Sequence, residues 1–276
     1  MSSAVPLEVP TTLGQAYRAE FRRAFRPPYG APSTALGNGI LAAGGFWLLP
    51  ESIKNQLFSI HRPLAFAVVL ASWMYSDVPA TNVLGETADL TLAALDDPAA
   101  LRLIVRAKNL VLWTLISPIC MTVSLWMGID DHALFITGLA ALWIAVVPFG
   151  TLAFSSWMGA LFPYHPLHLR ERWQLGRRSR HDRRHYWWRW LALVLLPYVI
   201  VPALAAALLS PVLIMWGVSA TGWTFLSDHT DHLAIGVFLS VVLSIVWMLV
   251  GRRGFLWLCK KRDRELREYL SDRAKG

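Results

Sequence analysis

Four apolar runs restrict this chain more than anything else: residues 109–128, 133–161, 188–217 and 232–258 are each long enough to cross a bilayer as a helix. About 20 mostly apolar residues span the hydrocarbon core, where an α-helix satisfies its own backbone hydrogen bonds. A soluble domain would have to bury all four runs on every side. Composition argues the same way, with 55% hydrophobic residues and only 16% charged, where soluble domains carry roughly 25% charged residues. The mean hydropathy is +0.43. The chain also holds 14 tryptophans, a residue favoured where lipid tails meet headgroups.

Two further runs are weaker. Residues 34–50 are short and glycine-rich (Gly37, Gly39, Gly44, Gly45) and end at Pro50. Residues 64–84 begin as LAFAVVLASWMY and then acquire Ser76, Asp77, Pro79, Thr81 and Asn82. Reading both as spans gives six, and charge placement supports that number. With both termini inside, the cytoplasmic parts are 1–33, 85–108, 162–187 and 251–276. Together with Arg189 they hold 24 of the 26 Lys and Arg residues. The outer loops keep Lys54 and Arg62 and carry Glu51, Asp130, Asp131, Asp228 and Asp231. Basic residues near span ends stay in the cytoplasm, and a five-span arrangement would put one basic terminus outside.

The expected fold is therefore an all-α polytopic protein of the cell membrane with six transmembrane helices, N-in and C-in. It divides into a cytoplasmic N-terminal region (1–33), a transmembrane domain (34–258) and a basic cytoplasmic tail (259–276). A sequence pI near 9.9 would suggest nucleic acid in a soluble protein. Here the basic residues fill the gaps between apolar runs, so no nucleic-acid partner is expected. No signal peptide is evident in the polar, arginine-bearing residues 1–34. Trp187, Trp188 and Trp190 mark the inner end of the fifth span, and Trp216 and Trp223 its outer end. Residues 14–26 repeat Tyr17, Phe21 and Phe25 at four-residue spacing beside Arg18, Arg22 and Arg26. That pattern predicts an amphipathic helix lying on the inner leaflet before the first span.

Segment 85–108 is the most informative loop. Asp96 or Asp97 can cap a helix whose first residue is Pro98, a position where proline costs no hydrogen bond. Such a helix places Leu101, Ile104 and Val105 on one face and Arg102 and Arg106 on another, then runs into the third span. Asp89 to Leu95 reads as a shorter amphipathic helix. Two short helices on the inner surface form either a docking element for a cytoplasmic partner or an ordinary solvated connector.

An acidic, leucine-rich stretch, a proline, and a basic helix ending in lysine at the third span resemble the type-2 ABC permease family. The residues that carry this resemblance are Leu90, Leu92, Leu95, Pro98, Arg102, Arg106 and Lys108. Members of that family also have six spans, internal termini and an amphipathic helix before the first span. The resemblance implies export of a substrate, with Leu92, Leu95, Asp97, Pro98, Leu101, Arg102 and Arg106 contacting an ATPase. The chain departs from the family in the short loop between the fifth and sixth spans, where re-entrant helices would have to fit within about 218–231. No Gly-x-x-x-x-Gly-Lys-Ser/Thr phosphate loop is present, so the ATP-binding subunit would be a separate polypeptide. A transport pathway between two bundles would need a homodimer or a heterodimer with another six-span subunit.

Other candidates are weaker. Asp77, with Ser76 and Asn82, is the one acidic position placed within a span and could line a pathway, or could serve hydration and capping. Asp228, His229, Asp231 and His232 have ligand chemistry, with Asp130, Asp131 or His132 as possible additions, but a solvated acidic loop is the simpler reading. His181 and His185 are surrounded by arginines that oppose a cation. The basic loop 162–187 controls topology or holds anionic lipid. Cys120 and Cys259 fit small apolar packing positions. Small residues at Gly39 and Ala43, and from Ala203 through Ala207, suggest close helix packing. Pro118, Pro148, Pro197, Pro202 and Pro211 lie inside spans. No catalytic constellation, cofactor or metal is expected.

The leading expectation is a permease subunit moving an amphipathic or lipid-like substrate, because the spans offer almost no charge to an ion. The alternative is a non-transporting membrane scaffold or assembly protein that binds partners or anionic lipid through its basic loops. A membrane enzyme ranks third. The topology has a direct test. Single cysteines at 52–60 and 220–230 should react with an impermeant thiol reagent added outside intact cells, and cysteines at 165–185 should not. Labelling of 165–185 from outside would overturn the arrangement.

Overall fold

A computed structural model describes residues 9–26, 30–50, 52, 62–76, 78–163, 165, 183–220 and 229–272. Among the described residues the regular structure is entirely helical. In chain order the helices are α1 (Leu13–Ala24), α2 (Gly30–Leu48), α3 (Arg62–Tyr75), the single turn α4 (Val78–Thr81), and α5 (Ala88–Ala94), which follows a 3-10 turn at Gly85–Thr87. Then come α6 (Pro98–Asp130), α7 (Leu134–Leu161), α8 (Arg183–Ala220), α9 (His229–Lys261) and α10 (Asp263–Ser271).

Among the described residues, four helices are long and apolar enough to cross a membrane: α6, α7, α8 over Leu195–Ser219, and α9 over Thr230–Lys261. They coincide with the four strong apolar runs, and the chain is a membrane protein. The face of α9 that carries Ile235, Phe238, Leu239, Val242, Ile245, Val246 and Leu249 is exposed. That i, i+3, i+4, i+7 stripe is what a lipid-facing side requires.

The two weaker runs are helical but do not match their expected extents. α2 begins at Gly30 instead of 34, and its glycines and Asn38 dilute its apolar character. The expectation of one helix over 64–84 is corrected. α3 stops at Tyr75 after 14 residues, about 21 Å at 1.5 Å per residue, which is short of a ~30 Å core. Pro79 has no N–H to return to Tyr75 in a continuing helix. The chain instead makes α4 and then a buried turn.

α7 is the central rod, packed against α3, α4, α6, α8 and α9. Half of its most apolar window is buried, against a third or less in the other three long helices. Its closest neighbour is α9. There Ser244 Oγ bonds Val147 O at 3.1 Å and Gly150 N at 3.2 Å, so one hydroxyl both donates to and accepts from α7. Further along, a Cβ added to Gly251 would sit 2.9 Å from Ala153 Cβ and 3.1 Å from its carbonyl carbon. α7 and α9 therefore approach closely at Gly150 and Gly251. Of the small faces expected from sequence, Gly39 meets Met74, while Ala43, Ala203 and Ala207 are exposed.

All five proline positions fall inside helices: Pro118 in α6, Pro148 in α7, and Pro197, Pro202 and Pro211 in α8. Cys120 and Cys259 are free and buried. Two apolar cores result. One runs through the bundle around Met74, Ile116, Trp143, Ile144 and Leu208. The second sits at one end and joins Val83, Leu84, Leu101, Ile104, Ala160, Phe255 and Leu266.

The α7–α9 seam makes a prediction. Gly251→Val should lower stability in detergent by about 1–3 kcal/mol through overpacking, seen as a lower midpoint in a thermal unfolding scan. Gly44→Val, which meets nothing within 4 Å, should leave the midpoint unchanged. Equal midpoints for both variants would refute the close approach.

Candidate functional site

The site is built around the turn that ends the α3–α4 segment. Ser76 closes α3, with its N–H donating to Trp73 O at 3.0 Å and its hydroxyl to Ser72 O at 2.8 Å. Asn82 Oδ1 accepts from Gly85 N at 3.2 Å, an Asx-type closure that such side chains provide locally. Between these points Val83 and Leu84 are fully buried. A buried backbone carbonyl left unpaired costs about 1–3 kcal/mol. Three different elements supply the donors. Ser155 Oγ of α7 donates to Ala80 O at 3.0 Å, Lys108 Nζ of α6 to Val83 O at 2.7 Å, and Thr91 Oγ1 of α5 to Leu84 O at 2.9 Å. α7 approaches so closely that a Cβ at Gly159 would stand 3.0 Å from both Thr81 O and Val83 N.

Segment 85–108 grows out of this turn. Asp97 is the N-cap of α6, its Oδ1 accepting from Ala99 N at 2.9 Å, with Pro98 at the first helical position. α6 then continues unbroken for 33 residues, about 50 Å. A length of that order exceeds the hydrocarbon core, so part of the helix extends beyond it.

The chain itself covers one face of the start of α6. Leu90, Leu101, Ile104 and Val105 are buried, and Leu266 and Leu270 of α10 are buried at the same end. The basic tail thus contains a helix that packs against α5. Arg262 Nη1 anchors it by donating to Ala160 O at 3.1 Å and Leu161 O at 2.7 Å. These are carbonyls of the last turn of α7, where arginine suits the unpaired acceptors. Arg267 bridges Asp96 at 2.6 Å and Asp263 at 2.9 Å, and these carboxylates hold its guanidinium above the usual arginine range.

The positions expected to meet a partner are therefore divided. Leu101 points into the protein's own core, and Leu92, Leu95 and Arg106 are half-buried. Asp97, Pro98 and Arg102 are exposed together with Asp96 and Ala99. Those five form the accessible tip.

A charged cluster ties α1 to the same turn. Lys108 is buried, with Glu86 Oε2 3.5 Å from its ammonium. Glu20 of α1 is buried against α6 beside Leu90, Ile104 and Ala107 and pairs with Arg23. Burial pushes the Glu20 carboxyl above its usual 4.5, while the Lys108 and Arg23 charges pull it down and Glu86 adds to the rise. The buried stripe of α1 is Ala16 and Glu20. The aromatic face expected for the leaflet is only partly free. Tyr17 OH donates to Thr114 Oγ1 at 3.1 Å, Tyr17 and Phe21 are half-buried, and Phe25 is exposed.

Of the suggested pathway residues, Ser76 and Asn82 are buried and bonded to nearby backbone, and Asp77 lies outside the described residues. In the acidic segment 228–232, Asp231 is exposed and His232 buried, while the side chains of Asp228 and His229 lie outside the described residues, as do those of His181 and His185. No group of three or more His, Cys, Asp or Glu able to hold a metal occurs among the described residues.

Thr91, Ser155 and the contact from Lys108 to Val83 carry no sequence signal. Their partners lie 7, 75 and 25 residues away, and no capping or turn rule names those partners. No protein-family model matches the chain, and neither the curated proteins nor the solved structures give a match.

Glu20 makes the docking of α1 dependent on pH. Its neutral form is favoured in the folded state, so this contribution is fully present below the ordinary glutamate value and is lost as pH rises through the raised one. Hydrogen-exchange protection factors for α1, corrected for intrinsic rates, should fall across that range. In Glu20→Gln they should stay level. An unchanged pH profile in Glu20→Gln would show that another group titrates.

Proposed function

We propose that this chain is the permease subunit of an ABC-type exporter. It is read as a six-span protein of the cell membrane with both termini in the cytoplasm. It works with a separate ATP-hydrolysing subunit and pairs with a second six-span copy or relative. One observation carries the reading. The exposed tip Asp96, Asp97, Pro98, Ala99 and Arg102 is the start of a helix that continues without interruption through a membrane-spanning segment. Force applied by a nucleotide-driven partner at that tip would be delivered to the bundle along a rod, with no loop to absorb it. The buried turn at Val83–Leu84 links the same rod to α5 and α7.

The resemblance of 85–108 to type-2 ABC permeases supplies the class of partner. The placement of basic residues supplies the orientation, since the tip lies in one of the segments rich in Lys and Arg. The long helices carry little charge, so the cargo is read as amphipathic or lipid-like. α2 and α3 would complete the six spans with the help of their neighbours, α3 through the adjoining α4 turn.

Affinity purification of the detergent-solubilised protein from its native membrane tests the reading. The expected co-purifying subunit contains a Gly-x-x-x-x-Gly-Lys-Ser/Thr loop, identified by peptide sequencing. Combined Asp97→Ala, Pro98→Ala and Arg102→Ala substitution should cut its recovery at least tenfold and abolish export. If no such ATPase is recovered and the triple variant keeps any transport phenotype, the permease reading fails and the scaffold reading takes its place.

A further inference from the structure

Between α6 and α9, on the side of α6 away from the Lys108 cluster, lies a narrow open cleft with a cavity volume of about 20 Å³. It is lined by Arg102, Arg106, Asn109, Ser156 and Arg252 over an apolar floor that includes Phe255. Three guanidiniums share this cleft, and the charges that bear on Arg252 are those of Arg106 and Arg102. No carboxylate pairs with any of the three among the described residues. Like charges gathered this closely repel unless an anion lies between them. One donor of the cleft is also unsatisfied: the buried Nε of Arg106 has no partner, and an anion would supply the acceptor it lacks.

The position of the cleft indicates the ligand's source. Arg252 follows directly on the exposed apolar stripe of α9, which ends at Val250. Trp257 is exposed one turn or so further on, with Lys261 Nζ 5.0 Å from its ring centroid. Arginines and tryptophan after an apolar stripe mark the headgroup layer. Val105, Phe255 and Leu256 give the cleft apolar contacts that a free inorganic anion could not use.

We infer that Arg102, Arg106 and Arg252 form a binding site for the phosphate of an anionic membrane lipid, with the acyl chains lying along α9. Guanidinium planes suit phosphate oxygens because they donate two parallel hydrogen bonds. Bound lipid would join α6 to α9 next to the accessible tip of α6. This site does not depend on the permease reading, because Arg252 lies outside the tip and the test needs no ATPase.

The test uses the full-length protein in detergent, titrated with 1-palmitoyl-2-oleoyl-phosphatidylglycerol and, separately, with the phosphatidylcholine of the same chains. Bound lipid is read by native mass spectrometry and by the shift in thermal midpoint. Phosphatidylglycerol should remain bound and raise the midpoint by several degrees, whereas phosphatidylcholine should do neither. Arg102→Gln/Arg106→Gln/Arg252→Gln should weaken retention at least tenfold. Arg252→Gln alone should weaken it several-fold, which keeps the test decisive if the triple variant does not fold. The charge-matched control Arg253→Gln/Lys260→Gln/Arg264→Gln should leave retention unchanged. Equal retention of both lipids, or equal loss in the control, overturns the site. If glycerol 1-phosphate at the same concentration gives the full stabilisation, the lipid assignment is overturned.

Discussion

A helix that breaks inside a membrane protein exposes carbonyls that neither lipid nor water can satisfy, and the arrangement around Val83 and Leu84 answers that problem. The carbonyls of Ala80, Val83 and Leu84 take donors from Ser155, Lys108 and Thr91, side chains that belong to α7, α6 and α5. Each donor fixes its own helix relative to the turn. The break therefore joins the turn to three other elements by side-chain hydrogen bonds. Lys108 carries the largest cost, because a buried ammonium loses its hydration. The Val83 carbonyl at 2.7 Å and Glu86 at 3.5 Å offset part of it.

The rest of that end of the molecule is arranged around the same point. α10 folds back to cover α5, and burial of Leu266 and Leu270 holds it there. The Arg267 pairs sit at exposed positions, where such bridges contribute little. Arg262 differs, because it donates to two carbonyls at the end of α7 that would otherwise lack partners. As a result Leu101 and Ile104 face inward, and α6 presents its acidic, proline-started tip and its arginine face outward. A partner would meet charge and backbone at the tip, and the leucines would stay in the core.

Hydropathy is a local property, so the four long helices were legible directly. Each apolar run satisfies its own backbone regardless of its neighbours. The Asp97 cap, the Pro98 start and the continuity of 98–108 with the apolar run that follows it were also legible, because capping depends on residues within one turn. α2 and α3 were visible as helices but not in extent, since Pro79 acts only by denying a bond back to Tyr75. The aromatic spacing of Tyr17, Phe21 and Phe25 correctly indicated an amphipathic α1. It did not reveal that Ala16 and Glu20 would form the packed stripe, because that depends on what α6 presents to it.

The sequence by itself determined a membrane protein with four helices of spanning length, and it singled out 85–108 as a distinct element. Hydropathy, proline and capping all act over distances of a few residues. The tertiary structure decided that Lys108 serves a carbonyl 25 residues earlier, that Gly251 is where α9 meets α7, and that Arg102, Arg106 and Arg252 share one cleft. Those pairings join positions with no fixed sequence spacing. They exist only once the helices have chosen their neighbours.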